Sequence, residues 1–226
     1  MKLTYYGHAC FSVQIKGKHI LFDPFITGNP LAQAIDVNQI PADYILVSHG
    51  HQDHTLDLIS IAKRTGAKVV SNFEIIGWLG KQGISNGHPV NHGGKWTFDF
   101  GTVKYVNAIH SSSFADGSYA GNPGGFIISS EEGVFYYSGD TALTMDMQLI
   151  PRFFKLDFAV MPVGDDFTMG YEEALMAAEM VQCKRVVGVH YDTFDLIRLD
   201  KQRAQDHFTK AGYELLLPGI GETISV

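Results

Sequence analysis

Short apolar runs and helical stripes alternate along the whole chain, and turn residues separate them. Runs of four to eight apolar or β-branched residues predict strands, and apolar positions spaced by three and four predict helices. The pattern predicts strands over 3–6, 10–15, 19–24, 43–48, 68–71, 95–100, 103–110, 125–130, 134–140, 158–163, 185–190 and 213–218. It predicts helices over 55–66, 73–83, around 145–154, 171–182 and 201–212.

The second half of the chain alternates strand and helix, which is typical of an α/β fold. Tyr171, Ala174, Leu175 and Ala178 fall at i, i+3, i+4 and i+7, the stripe of a helix that lies on a sheet. No linker, charge block or low-complexity tract interrupts the pattern. We therefore expect one domain over residues 1–226.

Two of the predicted hairpins, at 10–23 and 126–140, resemble each other. Each has a strand led by Phe, a glycine turn, an aromatic-rich return strand and then an aspartate. The similarity suggests two related halves, each a sheet with helices outside it.

Composition narrows the classes of function. With 226 residues and 45% hydrophobic content, the chain can bury a substantial core. The formal net charge of -7 argues against nucleic acid as a partner, because binding a phosphate backbone needs clustered Lys and Arg. No apolar run approaches the roughly 20 residues of a membrane helix, so we expect a cytoplasmic protein without a membrane partner. Cys10 and Cys183 lack metal-site spacing and are expected to be buried free thiols.

The stretch Ser48–His54, SHGHQDH, concentrates metal-binding side chains directly after an apolar strand. His49 and His51 have the spacing of side chains that point the same way on an extended loop, whereas the adjacent Asp53 and His54 can diverge toward a second centre. Imidazole and carboxylate groups are good ligands for zinc, iron and manganese. One exposed histidine would carry little meaning, but this cluster at a strand end predicts a metal site.

Three more metal-capable residues follow apolar strands. They are His110, Asp140 and His190. Because the carboxyl ends of such strands meet at one edge of a sheet, all three can converge on the histidine-rich loop. Together with the loop residues they form a set large enough for two cations.

These residues carry a resemblance to a known family. HGHQDH, followed by His110, Asp140 in SGDT and His190, resembles the ligand motif of the metallo-β-lactamase-fold hydrolases. The segments GHACF, AIHSS, PVGDDFTMG and VHYDTF resemble a branch of small metal-dependent hydrolases akin to the ascorbate-6-phosphate lactonases. The resemblance implies an αββα sandwich with two central mixed sheets.

The resemblance also implies how the ligands divide between two divalent metal ions, with zinc expected and manganese, iron or nickel as alternatives. One ion would take His49, His51 and His110, the other Asp53, His54 and His190, with Asp140 bridging. A hydroxide between the ions would attack an ester, lactone, amide or phosphodiester bond of a small molecule. Asp53 would serve as the catalytic residue by orienting that hydroxide.

Several other polar residues have two readings each. His8 either contacts the site or the substrate, or is a histidine in a turn. Asp23 either holds a ligand histidine or forms a turn before Pro24. His92 either supports the site or lies in an ordinary loop. Thr168 and Asp165 line the pocket, although helix capping by Thr168 is the favoured reading. The Gly-rich loop 111–125 follows His110 and is expected to face the substrate.

Different functions use the same ligand set. A di-iron redox protein, a nuclease of the same fold and a binding protein without turnover are the alternatives to a hydrolase. The sequence lacks a GxSxG elbow, a GxxxxGK[ST] loop, a GxGxxG after a strand and an HExxH motif, which argues against serine hydrolases, nucleotide triphosphatases and dinucleotide-binding proteins. Assembly into a homo-oligomer stays open.

Overall fold

Two seven-stranded mixed sheets face each other and helices cover their outer surfaces, as the computed structural model describes for residues 1–226. This αββα arrangement confirms the predicted α/β class. The strands are β1 (Lys2–Gly7), β2 (Cys10–Ile15), β3 (Lys18–Phe22), β4 (Tyr44–Leu46), β5 (Lys68–Asn72), β6 (Gly87–Val90), β7 (Lys95–Thr97), β8 (Thr102–Asn107), β9 (Gly124–Ser130), β10 (Gly133–Tyr137), β11 (Phe158–Pro162), β12 (Arg185–Val189), β13 (Glu214–Leu216) and β14 (Thr223–Ser225).

The helices are short. They are α1 (Gln52–Thr55), α2 (Leu58–Thr65), α3 (Phe73–Lys81), α4 (Tyr171–Met180) and α5 (Lys201–Lys210), and 3₁₀ turns occupy Val37–Gln39, Met145–Arg152 and Asp195–Ile197. None of them has the length and apolar character that a membrane crossing would need.

The two sheets have matching topology. One has the order β14-β1-β2-β3-β4-β5-β6 and the other β13-β12-β11-β10-β9-β8-β7. In each, a run of antiparallel strands (β1 to β3, β7 to β10) is followed by parallel strands (β3 to β6, β10 to β13). The two hairpins that resemble each other in sequence, β2–β3 and β9–β10, occupy the same position in their sheets. The arrangement agrees with the hypothesis of two related halves.

The main hydrophobic core lies between the sheets, and aromatic rings join its two sides. Phe22 on β3 stacks on Phe11 with ring centroids 4.5 Å apart. It also meets Phe135 and Tyr137 of the opposite sheet edge-on, at 5.9 and 5.5 Å. Aromatic pairs of this geometry contribute about 0.5–1.5 kcal/mol each beyond their buried area. The core therefore fixes how the two sheets sit against each other.

Most predicted elements are present, and the differences have local causes. The helix predicted around 145–154 is present at Met145–Arg152, but it is a 3₁₀ helix. It contains Pro151, and proline cannot donate the hydrogen bond that an α-helix interior requires. Strands β6 and β14 were not predicted. Both are edge strands, and β6 contains Gly87 and Pro89, which interrupt any apolar pattern.

Cys10 and Cys183 are both buried and unpaired, as predicted. Burial raises the pKa of each thiol. They therefore act as small apolar residues of the core.

Candidate metal centre

The candidate site lies along one edge of the two sheets, where several strands end. Because β1, β3, β8, β10 and β12 run in matching directions within their sheets, the residues after them reach the same edge. The loop after β4 carries the histidine-rich stretch, which continues into the short helix α1. The residues that follow the five strands are His8, Asp23, His110, Asp140 and His190.

His49, His51 and His110 form the first of two clusters, which we call cluster A. Their ligand-capable nitrogens all lie within 4.8 Å of one another. Nε2 of His49 is 3.0 Å from Nδ1 of His51, and the His110 ring centroid lies 5.1 Å from each of the other two. Three imidazoles from two segments thus converge on one point, in the grouping that the resemblance implied.

Asp53, His54, His190 and His8 form the second cluster, cluster B, also within 4.8 Å. Oδ2 of Asp53 lies 3.7 Å from Nε2 of His190 and 3.9 Å from Nε2 of His54. The first three residues match the predicted second group. His8 is an addition, since the sequence left its role open.

Asp140 lies between the clusters. Its Oδ2 is 3.0 Å from Nε2 of His190, 3.2 Å from Nε2 of His54 and 3.7 Å from Nε2 of His110. One carboxylate oxygen therefore faces histidines of both clusters.

The side chains present fit divalent cations. Nε2 of His54 is fully buried and lies 3.2 Å from Oδ2 of Asp140 without forming a well-aligned hydrogen bond, while Nδ1 of the same ring is 2.8 Å from Oδ2 of Asp23. A buried nitrogen of this kind needs a partner. A cation would supply it, because a ligand histidine characteristically binds metal with one nitrogen and donates to a carboxylate with the other. The donor set of imidazoles and carboxylates suits zinc, manganese, iron and nickel alike.

Asp23 anchors His54 from behind. Its carboxylate accepts hydrogen bonds from the Ser48 backbone N–H at 2.7 Å, the Ser48 hydroxyl at 2.5 Å and the Tyr137 hydroxyl at 2.6 Å, besides His54. Ser48 Oγ in turn lies 2.9 Å from Nδ1 of His49. The supporting role of Asp23 is thus the one the structure favours, and Ser48 and Tyr137 are contacts that the sequence did not reveal.

His8 supports Asp53 in a similar way. Its Nε2 is 3.0 Å from Oδ2 of Asp53, and its Nδ1 is 2.9 Å from Oγ1 of Thr193. Burial, together with the neighbouring His190, lowers the pKa of His8 to about 4. A neutral His8 donates from Nε2 to the carboxylate and accepts from Thr193 at Nδ1, which fixes the position of Asp53.

The two clusters differ in their protonation. Burial lowers the pKa of His49, His51 and His110, so cluster A is neutral at pH 7. Burial also opposes charge on His54 and His190, but Asp140 and Asp53 outweigh it: the pKa of His54 is well above its usual range and that of His190 is raised to about 9. The same contacts hold the pKa of both aspartates well below their usual range against the effect of burial.

The backbone is strained where three of these residues leave their strands. His8, Asp23 and His190 have positive φ values of 53°, 41° and 58°, a conformation that costs non-glycine residues free energy. His190 N–H donates to the His8 carbonyl at 2.8 Å, so one hydrogen bond holds two of these turns together. Strain concentrated at a cluster of ligand-capable side chains is typical of functional sites.

Loop 111–125 packs on cluster A. Ser111 Oγ lies 3.3 Å from Nε2 of His51, and Ser112 Oγ accepts from the Gly50 N–H at 3.1 Å. Asn72 holds the far end of the loop by donating to the carbonyls of Ala120 and Asn122 at 2.9 and 3.2 Å. His92 does not reach either cluster. Its Nε2 lies 2.8 Å from the Pro123 carbonyl, so it contacts the loop and not the clusters.

The favoured reading of Thr168 as a helix cap is wrong. Helix α4 begins after Gly170, which has no side-chain cap, and the Thr168 hydroxyl bonds only the adjacent Met169 carbonyl at 3.4 Å. Asp165 accepts from the Asp166 N–H at 2.8 Å, and both have positive φ, so they shape the turn after β11. Neither Asp165 nor Thr168 belongs to the two clusters.

Comparison with known families agrees with this geometry. A family model described as a beta-lactamase superfamily domain matches residues 2–190, which include every residue of both clusters. Among solved structures, the metallo hydrolase Igni18 of the archaeon Ignicoccus hospitalis is 35% identical, with a TM-score of 0.89 over 99% of this chain and 97% of that chain. Fold and site together define a metal-dependent hydrolase of the metallo-β-lactamase fold.

Relatives in sequence narrow the class. A UPF0173 metal-dependent hydrolase of Flavobacterium johnsoniae is 54% identical over 226 residues, covering 100% of both chains. A protein of the same description from Christiangramia forsetii is 53% identical over 227 residues, again covering 100% of both. The chain belongs to the UPF0173 family of metal-dependent hydrolases. The likeness to ascorbate-6-phosphate lactonases stays a prediction.

Proposed function

We propose that the protein hydrolyses an ester, lactone, amide or phosphodiester bond of a small molecule with two divalent cations. His49, His51 and His110 would hold one cation, Asp53, His54 and His190 the other, and Asp140 both. The observation that carries the proposal is the position of Asp140 Oδ2, within 3.0–3.7 Å of histidine nitrogens from both clusters. Zinc is the expected metal, with manganese, iron and nickel as alternatives.

Bound cations of this kind lower the pKa of water toward neutrality and polarise the bond under attack. The protein's part is to hold the ligands and to guide the proton of the attacking water. Asp53 suits that task because its side chain is 26% exposed to solvent, whereas the side chains of His54 and Asp140 are almost completely buried. His8 holds one oxygen of this carboxylate, and Asp53 then accepts a hydrogen bond from the water.

A small substrate suits this surface better than a nucleic acid. The chain carries a net charge of -7, and a phosphate backbone would need a basic surface. We expect a cytoplasmic enzyme that acts on a small molecule.

Metal analysis combined with a panel of chromogenic esters, lactones, amides and phosphodiesters tests the proposal. We expect about two cations per chain after metal addition, and activity that chelation removes. His110→Ala and Asp140→Asn should each lower the rate by several orders of magnitude while the fold, followed by circular dichroism, stays intact. His207→Ala is the matched control, because His207 lies on α5 against Tyr171 and outside both clusters. Near-normal rates in either site variant would contradict its assigned role.

A further inference from the structure

An open, mostly apolar cleft of about 640 Å³ adjoins cluster B. Its volume lies within the usual range of small-molecule sites. Asp53 forms part of its wall, and the apolar residues that line it are Phe25, Leu56, Phe167, Phe194 and Leu196.

Four of these side chains are exposed although they are large and apolar. Leu196 is 67% exposed, Phe167 49%, Leu56 39% and Phe194 38%. They come from three separate connections, after α1, β11 and β12, and all face the same opening. Apolar groups brought together from distant segments and left open to water mark a binding surface.

The cleft is continuous with the candidate metal centre. The rings of Phe25 and Phe194 each lie 5.4 Å from the ring of His8, in edge-on contact. His8 holds Asp53 at 3.0 Å. A molecule seated in the cleft thus lies against Asp53, the carboxylate that faces the attacking water.

Gly28 shapes the cleft floor. A Cβ at this position would lie 2.5 Å from the Phe25 ring and 2.7 Å from Leu56. The absence of a side chain lets these two residues approach each other across the floor. The apolar wall therefore depends on a glycine at this point.

The charge of the lining argues against an anionic ligand. No Lys or Arg lines the cleft, and its one ionisable residue is Asp53. The nearby Arg198 is engaged by Asp195 at 2.6 Å. A phosphate or carboxylate group held among these apolar side chains, away from the proposed cations, would lose water without gaining a cationic side chain as partner.

We infer that this cleft binds the uncharged, apolar part of the substrate, an aryl or medium-length alkyl group next to the bond that is cleaved. The inference rests on the proposed hydrolase function and narrows it to neutral esters, lactones or amides. It disfavours substrates, such as sugar phosphates, whose group next to the cleaved bond is itself charged or strongly polar.

Holoenzyme kinetics with p-nitrophenyl acetate, butyrate, hexanoate and octanoate test the inference. Burial of one methylene group corresponds to roughly a fourfold change in affinity, so kcat/KM should rise about two- to fourfold per methylene while the cleft fills. Leu196→Ala and Phe167→Ala should reduce this dependence on chain length, chiefly through KM. Leu149→Ala and Phe153→Ala are matched controls, since both residues are exposed and lie outside the cleft. A kcat/KM that stays level or falls from the acetate to the octanoate ester would overturn the inference.

Binding of Nile red, an uncharged apolar dye, gives a readout independent of catalysis. We expect fluorescence enhancement that Leu196→Ala and Phe167→Ala weaken about tenfold and that the control variants leave unchanged. Dye binding without hydrolysis of any ester, lactone, amide or phosphodiester in the panel would support the cleft and contradict the proposed function. Ester hydrolysis with equal rates along the series and no dye binding at the cleft would overturn the inference and leave the proposed function standing.

Discussion

At the scale of single residues, the protonation of the two clusters predicts how metal binding depends on pH. His54 and His190 carry protons at pH 7 because of Asp140 and Asp53, whereas the cluster A histidines are already neutral. A cation must displace those protons. Affinity at cluster B should therefore rise with pH up to about 9, the pKa of His190, and affinity at cluster A should be flat above the ordinary histidine pKa of about 6.5.

Calorimetry of Zn²⁺ binding to the metal-free protein, prepared with a chelator, checks this prediction. At pH 7.5, the binding heats in two buffers of different ionisation enthalpy should differ by an amount that corresponds to about two protons released by the protein, one from each of His54 and His190, besides any proton that the cations draw from water. His190→Ala should remove at least half of that release, and His51→Ala should leave it. Equal heats in both buffers would contradict the protonation assigned here. By the same linkage, the raised pKa of His190 contributes to the folding stability of the metal-free protein. This contribution is fully present below about pH 6.5 and is lost as the pH rises through about 9.

The clustering of the proposed ligands could be predicted from sequence, whereas His8 and Asp23 had two readings each and their partners could not be predicted. The spacing of His49, His51, Asp53 and His54 is local, so the chain itself displays it. The contact of His8 with Asp53 joins residues 45 positions apart, and that with Thr193 joins residues 185 apart. No local pattern encodes such pairs. The roles of the individual histidines therefore depend on the hydrogen-bond partners that the fold places beside them.

At the scale of elements, Asn72 links helix α3 to the loop that packs on cluster A. Its Oδ1 accepts from the Ile75 N–H at 2.9 Å as the cap of α3, and its Nδ2 holds two carbonyls of loop 111–125. Asn72→Ala should lower the free energy of unfolding by about 2–3 kcal/mol, since a cap and two further buried hydrogen bonds are lost. Urea denaturation measures the total, and hydrogen exchange over 111–125 shows whether the loop is released.

Two variants separate these contributions. Asp200→Ala removes a cap alone, since Asp200 accepts from the Arg203 N–H at the exposed start of α5, and should cost about 1 kcal/mol. Asn72→Asp keeps the capping oxygen and loses the donor. Faster exchange in the loop for Asn72→Ala but not for Asp200→Ala is the expected result; the same exchange in all three would show that Asn72 does not anchor the loop.

Prediction of the elements succeeded where burial gave them a pattern. Strands such as β11 and β12 are apolar runs because both faces are covered. Strands β6 and β14, by contrast, lie at sheet edges, where backbone pairing with one neighbour suffices and apolar side chains are not required. The 3₁₀ turn at Met145–Arg152 has the spacing of a helix, but its proline decides the geometry.

At the scale of the whole molecule, Phe22 lies where the two sheets pack together, and we expect it to contribute strongly to the free energy of unfolding. It is fully buried and meets rings of both sheets. Phe22→Ala should cost about 3–5 kcal/mol because it removes a large side chain and leaves a cavity. Phe73→Ala is the control, since Phe73 is 65% exposed on α3, and should stay within about 0.5 kcal/mol. Chemical denaturation checks both, and similar losses for the two variants would contradict a central role for Phe22.

The division of the ligand set between the sheets also has a kinetic meaning. His49, His51, Asp53 and His54 follow a strand of one sheet, whereas His110, Asp140 and His190 follow strands of the other. During refolding, neither sheet alone presents the full set, so tight capture of a cation must wait until the sheets have docked. The rate at which a fluorescent metal indicator loses its cation to the refolding chain would thus time the docking of the two sheets.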